Sequence, residues 1–250
     1  MLQQTSTSRV IEPWRRFLAR FPTPHACASA PLDEVLRAWD GLGYHRRAKN
    51  LWLSARMIDE RFAGQVPRSL EDLESLAGVG PYTAAAVASF AYGERVAVLD
   101  TNVGRVLARC VANRRLTNAE AMQLAHDLLP RDGVASFNQS LLDLGAQFCT
   151  SRPRCETCAL EKVCRWRAEG GEDPAPRSAG VSKSQARFEG SRRQLRGQLL
   201  AALREGPHGE AALVARLDTN FAADVAGVLR DLAREGLLER RGSRWRLATS

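Results

Sequence analysis

No run of apolar residues in this chain is long enough to span a bilayer. Its N-terminus also lacks the basic, apolar and small-residue order of a secretory signal. Together these absences point to a soluble cytoplasmic protein, and in that compartment six cysteines read as free thiols or ligands rather than disulfides. Strand-like alternation is scarce, and no internal repeat is visible. Acid is in deficit: 28 Asp and Glu face 36 Lys and Arg, a net charge of +8, which favours a polyanionic partner without identifying one.

What is present is mostly helix. With 250 residues and 44% apolar content the chain can bury a substantial core, enough for one main domain and a smaller one. Val10, Ile11, Trp14, Phe17, Leu18 and Phe21 recur at helical spacing, with Pro13 in the first turn or at a kink, and Ala48, Leu51, Ala55, Ile58 and Phe62 mark a second amphipathic stretch. Further helical segments are predicted near 70–76, 82–92, 103–111, 120–129 and 135–149. Residues 166–190 are rich in Gly, Ser, Pro and charge and read as a flexible linker. Beyond it, helices over 191–204, 210–217 and 222–235 precede "LLERRGSRWRL", a two-stranded hairpin turning at Gly242 and Ser243. Three helices and a basic hairpin suggest a winged-helix-like domain over 191–250, serving either as a DNA- or protein-contacting module or as a packing appendage.

Three motifs carry chemistry. In "LAGVGPYTAAAV", Gly78 and Gly80 bracket Val79 and permit a tight hairpin, and Pro81 suits the first position of a new helix. The free N–H groups of such a hairpin and helix start can cradle a phosphate with no charged side chain. In "CTSRPRCETCALEKVC", Cys149, Cys155, Cys158 and Cys164 fall within sixteen residues. A structural zinc site and an iron–sulfur cluster both fit four thiols. Zinc knuckles usually bring two CxxC pairs and this run has one, so the cluster is favoured. Cys27 and Cys110 lie away from the run and read as small apolar packing residues. In "VLDTNV", Asp100 precedes Asn102 at a helix start, where it is either an N-cap or a catalytic carboxylate.

Taken in order and spacing, "MLQQT", "GLGYHRRAKN", "LAGVGPYTAAAV", "VLDTNVGRVLARC" and "FNQSLLDLGAQFC" resemble the MutY-type adenine DNA glycosylases of the helix-hairpin-helix superfamily, from Met1 to about Arg165. The resemblance implies a mainly α helix-hairpin-helix glycosylase domain over 1–165, with a [4Fe-4S] cluster on the 149–164 loop. It implies removal of adenine opposite 8-oxoguanine (or guanine) in double-stranded DNA, by a monomer working on the nucleoid. It makes Asp100 the carboxylate that stabilises the oxocarbenium-like sugar, Asn102 its orienting partner and Tyr82 a wall of the sugar pocket. Gln139 matches the contact to the extruded adenine, and Gln4, Thr5, Leu42 and Tyr44 match those around the oxidised guanine and the gap in the stack. For Leu42 and Tyr44, core packing is the competing role. Endonuclease III-type relatives carry a lysine nucleophile at the Tyr82 position, and tyrosine forms no Schiff base, so a monofunctional glycosylase is expected.

The chain departs from the pattern in three places. The family's general acid, a glutamate, lies two residues before the methionine of "MLQQT", which here is Met1. Weak base release is expected from these 250 residues, with a misplaced start as the favoured cause; Glu12 follows the matching block and is not assigned the role. Five residues separate Cys149 from Cys155 where the family usually has six. The C-terminal third does not resemble the nucleoside-hydrolase-like domain with which many members inspect 8-oxoguanine. The alternatives are an endonuclease III-like glycosylase/lyase and a non-catalytic lesion-binding protein, which base release separates.

Overall fold

A computed structural model of the chain describes residues 1–3, 5–179, 187–217 and 224–250. Gln4, residues 180–186 of the expected linker and the first residues of the helix expected from 222 lie outside them. In chain order the helices are α1 (Thr7–Arg20), α2 (Pro24–Ala28), α3 (Leu32–Ala38), α4 (Arg46–Phe62), α5 (Leu70–Ser75), α6 (Pro81–Tyr92), α7 (Thr101–Val106), α8 (Asn118–Asp127), α9 (Val134–Gln147), α10 (Arg165–Glu169), α11 (Arg192–Glu205), α12 (Glu210–Val214) and α13 (Val225–Arg234). Among the described residues three strands, β1 (His208–Gly209), β2 (Leu238–Arg241) and β3 (Arg244–Leu247), form one small antiparallel sheet in the order β1-β3-β2. Among the described residues no helix is long and apolar enough to cross a membrane.

The chain divides into two compact units that do not follow its sequence order. One comprises Met1–Pro67, Leu76–Gly78 and the described part of 185–250; the other comprises Arg68–Ser75 and Val79 through the described part of the segment ending at 184. In the first unit the N-terminal helices and the winged-helix-like segment share one core. Phe17, Leu32, Leu36, Trp39 and Leu42 are buried with Leu195, Leu199, Leu203 and Leu229. Phe17 packs on Phe21 at 5.0 Å and edge-on against Trp39 at 6.2 Å. Polar contacts follow the same seam. Lys49 donates to the Glu235 carbonyl at 2.9 Å, Arg204 pairs with Asp40 at 2.6 Å, and the Leu32 N–H reaches the Thr249 carbonyl at 3.2 Å. The C-terminal segment is therefore built into the unit rather than appended to it. The hairpin turns at Gly242 and Ser243 as read from the sequence, with Arg241 opposite Arg244. Strand β1, too short to show a period, pairs on the other edge of β3. On α1, Pro13 lies within the helix and Val10 and Phe17 turn inward, while Ile11, Trp14 and Leu18 stay exposed.

The second unit is centred on Val103, Leu107, Leu116, Ala121, Ala125, Leu129 and Val134. Helix α7 runs straight into a π-helical turn, Leu107–Ala112, which carries Arg109 and Cys110. The expectation of a flexible linker from 166 is corrected here for its first half. Residue Arg109, only 2% exposed, is paired with Asp173 through two hydrogen bonds, Nε to Oδ1 at 2.8 Å and Nη2 to Oδ2 at 2.6 Å. Ala175 and Ser178 are buried, and the Ala179 N–H donates to the Leu116 carbonyl at 2.9 Å. A buried guanidinium needs a counter-charge. That requirement, invisible in a Gly- and Pro-rich composition, holds the segment against the unit as far as Ala179.

Candidate active site

Asp100 stands at the N-cap of α7, after an irregular segment over 96–99. One carboxylate oxygen, Oδ1, accepts the backbone N–H groups of Asn102 at 2.8 Å and Val103 at 2.9 Å; the other, Oδ2, accepts Asn102 Nδ2 at 2.9 Å. The two sequence readings of Asp100, cap and carboxylate, are thus one geometry, in which the helix terminus fixes the orientation of the group. The preceding segment is held by Asn138, which is buried on α9. Its Nδ2 donates to Ser89 Oγ and to the Val96 carbonyl, each at 2.9 Å, and its Oδ1 accepts the Val98 N–H at 3.4 Å. Asn138 was not among the candidates, although a polar residue on the inward face of an amphipathic helix was the available signal.

Asn102 is itself held from behind. Arg105 Nη2 donates to Asn102 Oδ1 at 2.7 Å and to the Gly145 carbonyl at 2.8 Å, and Arg105 Nε donates to the Cys149 carbonyl at 2.6 Å. A continuous relay therefore joins Asp100, Asn102, Arg105 and the first cysteine of the loop. Gly145 makes room for it, since a Cβ there would lie 2.5 Å from the Asn102 carbonyl oxygen. Neither Arg105 nor Gly145 could be found from motif spacing alone.

Tyr82, in the first turn of α6, is 42% exposed. Burial of part of the ring, and then the charge of Asp100, raise its phenol above the ordinary tyrosine value, so it stays protonated at neutral pH and feels the carboxylate. Gln139 is exposed on α9, its amide donating to Asp143 Oδ1 at 2.9 Å.

Helices α5 and α6 with the turn between them form a helix-hairpin-helix. Gly78 has φ +74°, and a Cβ there would meet Asn50 Nδ2 at 2.3 Å; the Ala77 carbonyl is held by Ser54 Oγ at 2.9 Å. Gly80, extended and with nothing within 4 Å of where a Cβ would stand, caps α6 with Pro81 next. Gly78 thus serves the shape of the turn. Gly80 leaves the backbone bare for a ligand that approaches the helix start.

The four cysteines of the run, 149, 155, 158 and 164, line one cleft with about 370 Å³ of empty space, part of it open to solvent. Cys110 lines it too, which corrects its reading as a packing residue remote from the run. Burial, then the neighbouring Cys164, push the Cys110 thiol up to about 12. At Cys149 burial raises the thiol, while Arg109, whose Nη1 donates to the sulfur at 3.4 Å, and Arg105 pull it back. Among the described residues no group of three or more His, Cys, Asp or Glu converges closely enough to hold a metal ion. Four thiols lining one space are a donor set of the kind that holds an iron–sulfur cluster or a zinc ion.

In the first unit, Thr5 Oγ1 donates to the Leu42 carbonyl at 3.4 Å and accepts Arg47 Nη2 at 2.9 Å; Arg47 also binds the carbonyls of Met1, at 2.8 Å, and Gln3. Leu42 is 2% exposed, so its side chain is core and its carbonyl is what it contributes. Tyr44 is 39% exposed, with a backbone φ of +45°. The structure thus brings Thr5, Leu42 and Tyr44 into one loop in one unit, and Tyr82, Asp100 and Asn102 into one corner of the other.

Residues 1–131 match the family described as HhH-GPD superfamily base excision DNA repair protein. The chain is 43% identical over 244 residues to the adenine DNA glycosylase of Mycobacterium tuberculosis (strain CDC 1551 / Oshkosh), covering 95% of this chain and 77% of that one. It is 39% identical over 191 residues to the adenine DNA glycosylase of Homo sapiens, covering 74% and 35%. Among solved structures, a thermostable thymine-DNA glycosylase superposes with a TM-score of 0.62 at 29% identity, over 67% of this chain and 80% of that one. A non-covalent endonuclease III–DNA complex gives 0.59 at 26% identity, over the same shares.

Proposed function

The chain belongs to the HhH-GPD superfamily of base excision DNA repair proteins, and within it to the adenine DNA glycosylases; from that premise we propose that it hydrolyses the N-glycosidic bond of adenine paired with 8-oxoguanine, without cutting the strand. The single observation that carries the chemistry is the fixed carboxylate of Asp100. Loss of a base builds positive charge on the sugar, and a carboxylate aligned in advance gains more from that charge than from the neutral ground state. Asn102 holds one carboxylate oxygen, and Arg105 keeps Asn102 from turning away. Tyr82, protonated beside Asp100, offers a hydrogen-bond donor and no amine, which supports simple hydrolysis over lyase chemistry.

The hairpin around Gly78, Val79 and Gly80 takes a phosphate of the flipped strand on its free N–H groups. Gln139 reads the extruded adenine, and Tyr44, with Thr5 and Leu42 behind it, enters the gap opposite; Gln4 belongs to the same block of sequence. Cys149, Cys155, Cys158 and Cys164 would hold a [4Fe-4S] cluster, which when bound supplies a fixed tie between the ends of the loop. Arg109 donates to one of these sulfurs, and Arg105 carries the loop's position to Asn102. Protonating the leaving adenine needs an acid. Glu12, exposed and paired with Arg15 at 2.9 Å, is not assigned that role.

The test is single-turnover release of adenine from a duplex with adenine opposite 8-oxoguanine, and opposite guanine, at matched salt. Release above the level of Asp100→Asn, without strand breaks before alkali, is expected, and faster opposite 8-oxoguanine. Tight lesion binding with no release above that level would make the protein a lesion binder instead.

A further inference from the structure

Arg109 touches both ends of the cysteine run. From the π-helical turn its guanidinium reaches the first cysteine: Nη1 donates to the Cys149 sulfur at 3.4 Å and to the Thr150 carbonyl at 2.7 Å. Its backbone carbonyl lies 3.9 Å from the sulfur of the last, Cys164. The residue is almost wholly buried, so solvation does little to steady its charge or its position.

The groups that steady it come after the run. Trp166, on α10, has its ring centre 5.4 Å from Arg109 Cζ, and its Nε1 donates to the Gly171 carbonyl at 3.3 Å. Two residues beyond that glycine, Asp173 takes Arg109 Nε on one carboxylate oxygen and Nη2 on the other, a two-pronged pairing that fixes both the direction and the plane of a guanidinium. With those two nitrogens turned to Asp173, Nη1 is the prong left facing the cysteine loop. Asp173 is held in turn. Its Oδ1 accepts the Ala175 N–H at 3.0 Å, Ala175 is buried, and further along Ser178 Oγ accepts the Leu116 N–H at 3.0 Å. All of these residues belong to the same compact unit.

We infer that Asp173 is a positioning residue for the metal site of the cysteine run: it holds Arg109 Nη1 on the Cys149 sulfur, and through that contact the segment after the run governs how long the site keeps its metal. This rests on the cluster reading of Cys149, Cys155, Cys158 and Cys164 given above. A metal-bound thiolate is a negatively charged acceptor, and a donor locked onto it stabilises the bound state and keeps the sulfur in the cleft. Without its carboxylate, Arg109 is a buried cation that has lost its counter-charge, and it gains by swinging away from the loop.

The experiment times metal loss from the full chain. Wild type and variants are prepared anaerobically, iron, sulfide and zinc per chain are measured, and release to excess chelator is followed. Asp173→Asn keeps the size of the side chain and removes its charge. It is expected to release metal at least about tenfold faster than wild type, the usual cost of losing a partner behind a metal ligand. Asp173→Glu, which keeps the charge, should recover part of the difference. In an Arg109→Gln background Asp173→Asn should add little, because the two act through one contact. Ser178→Ala loosens the same segment at Leu116 without touching Arg109 and should release metal at the wild-type rate. Equal release from wild type and Asp173→Asn, additive losses in the double variant, or Ser178→Ala as fast as Asp173→Asn overturns the proposal. If Asp173→Asn takes up no metal, hydrogen exchange of the metal-free chains decides. Faster exchange confined to 107–112 and 149–179 supports the brace, whereas exchange raised in α8 as well assigns Asp173 to general stability and overturns it. The cluster reading fails separately. Wild type that carries zinc in place of iron and sulfide ends that reading while the release rates still decide the role of Asp173, and wild type that takes up neither metal ends both.

Discussion

The corner at Asp100 and the loop at Tyr44 are built by opposite means. At Asp100 the first contacts span three residues: a cap accepts two backbone N–H groups of the helix it opens, and an asparagine two positions on closes the second oxygen. At Tyr44 the contacts reach further along the chain. Arg47 ties residues 1, 3, 5 and 42 together, and Arg193 arrives from the far end of the chain. Chemistry that needs one charge at one angle can rest on a helix end, because the peptide dipoles and free N–H groups there are already aligned. The exposed ring of Tyr44, on a backbone of positive φ, is met both by Arg47 nearby and by Arg193 from the C-terminal segment.

The comparison breaks most sharply at Asp100→Asn. Asparagine caps helices as well as aspartate, so the thermal midpoint should hardly move, while base release should fall at least about a hundredfold. A large drop in thermal stability alongside the lost activity would mean that cap and catalyst cannot be separated. Arg105→Ala asks whether the corner is local at all. Loss of its bonds to Asn102, Gly145 and Cys149 should slow base release about ten- to a hundredfold and lower the iron bound per chain, as a support behind a reactive group does. Normal rates with normal iron would confine the corner to Asp100 and Asn102.

The smallest effect concerns the loop's unit. Burial, then the positive charge of Arg204, depress His45 from 6.5 to about 4; Asp40 opposes them, and Arg196 and Arg47 add to them. The unfolded chain therefore takes up this proton first as pH falls. The stability that neutral His45 contributes is complete above about pH 6.5 and is lost progressively toward pH 4. Between pH 7.5 and 5.5 this group alone should cost about 1 kcal/mol, seen as a lower denaturant midpoint that His45→Gln does not show. An equal pH dependence in His45→Gln would assign the effect to other groups.

Much of the candidate site was legible in the sequence. The Gly-Val-Gly-Pro turn, the Asp-Thr-Asn helix start and the cysteine run each state a local geometry through residue types that few other conformations favour. The hairpin at Gly242 and Ser243 was readable for the same reason. The relay was not legible, because Arg105 and Gly145 look like ordinary helical positions until α7 and α9 touch. Nor was Cys110, which joins the other four thiols only because a π-helical turn carries it onto their cleft. The segment after the cysteines misled through composition. Its Gly and Pro content suggested freedom, and one aspartate, answering a buried arginine, removed it as far as Ala179.

By itself, then, the sequence determined what short-range physics can write: helices, caps, the hairpin, the order of the motifs and the family they belong to. The tertiary structure alone decided which distant residues stand behind them. It set Arg105 behind Asn102, Asn138 behind the segment that leads to Asp100, and Arg193 at Tyr44. Caps and turns repeat the same backbone geometry wherever their residues occur. A contact between residues 149 positions apart exists only once the apolar faces of α3, α4, α11 and α13 have closed into one core.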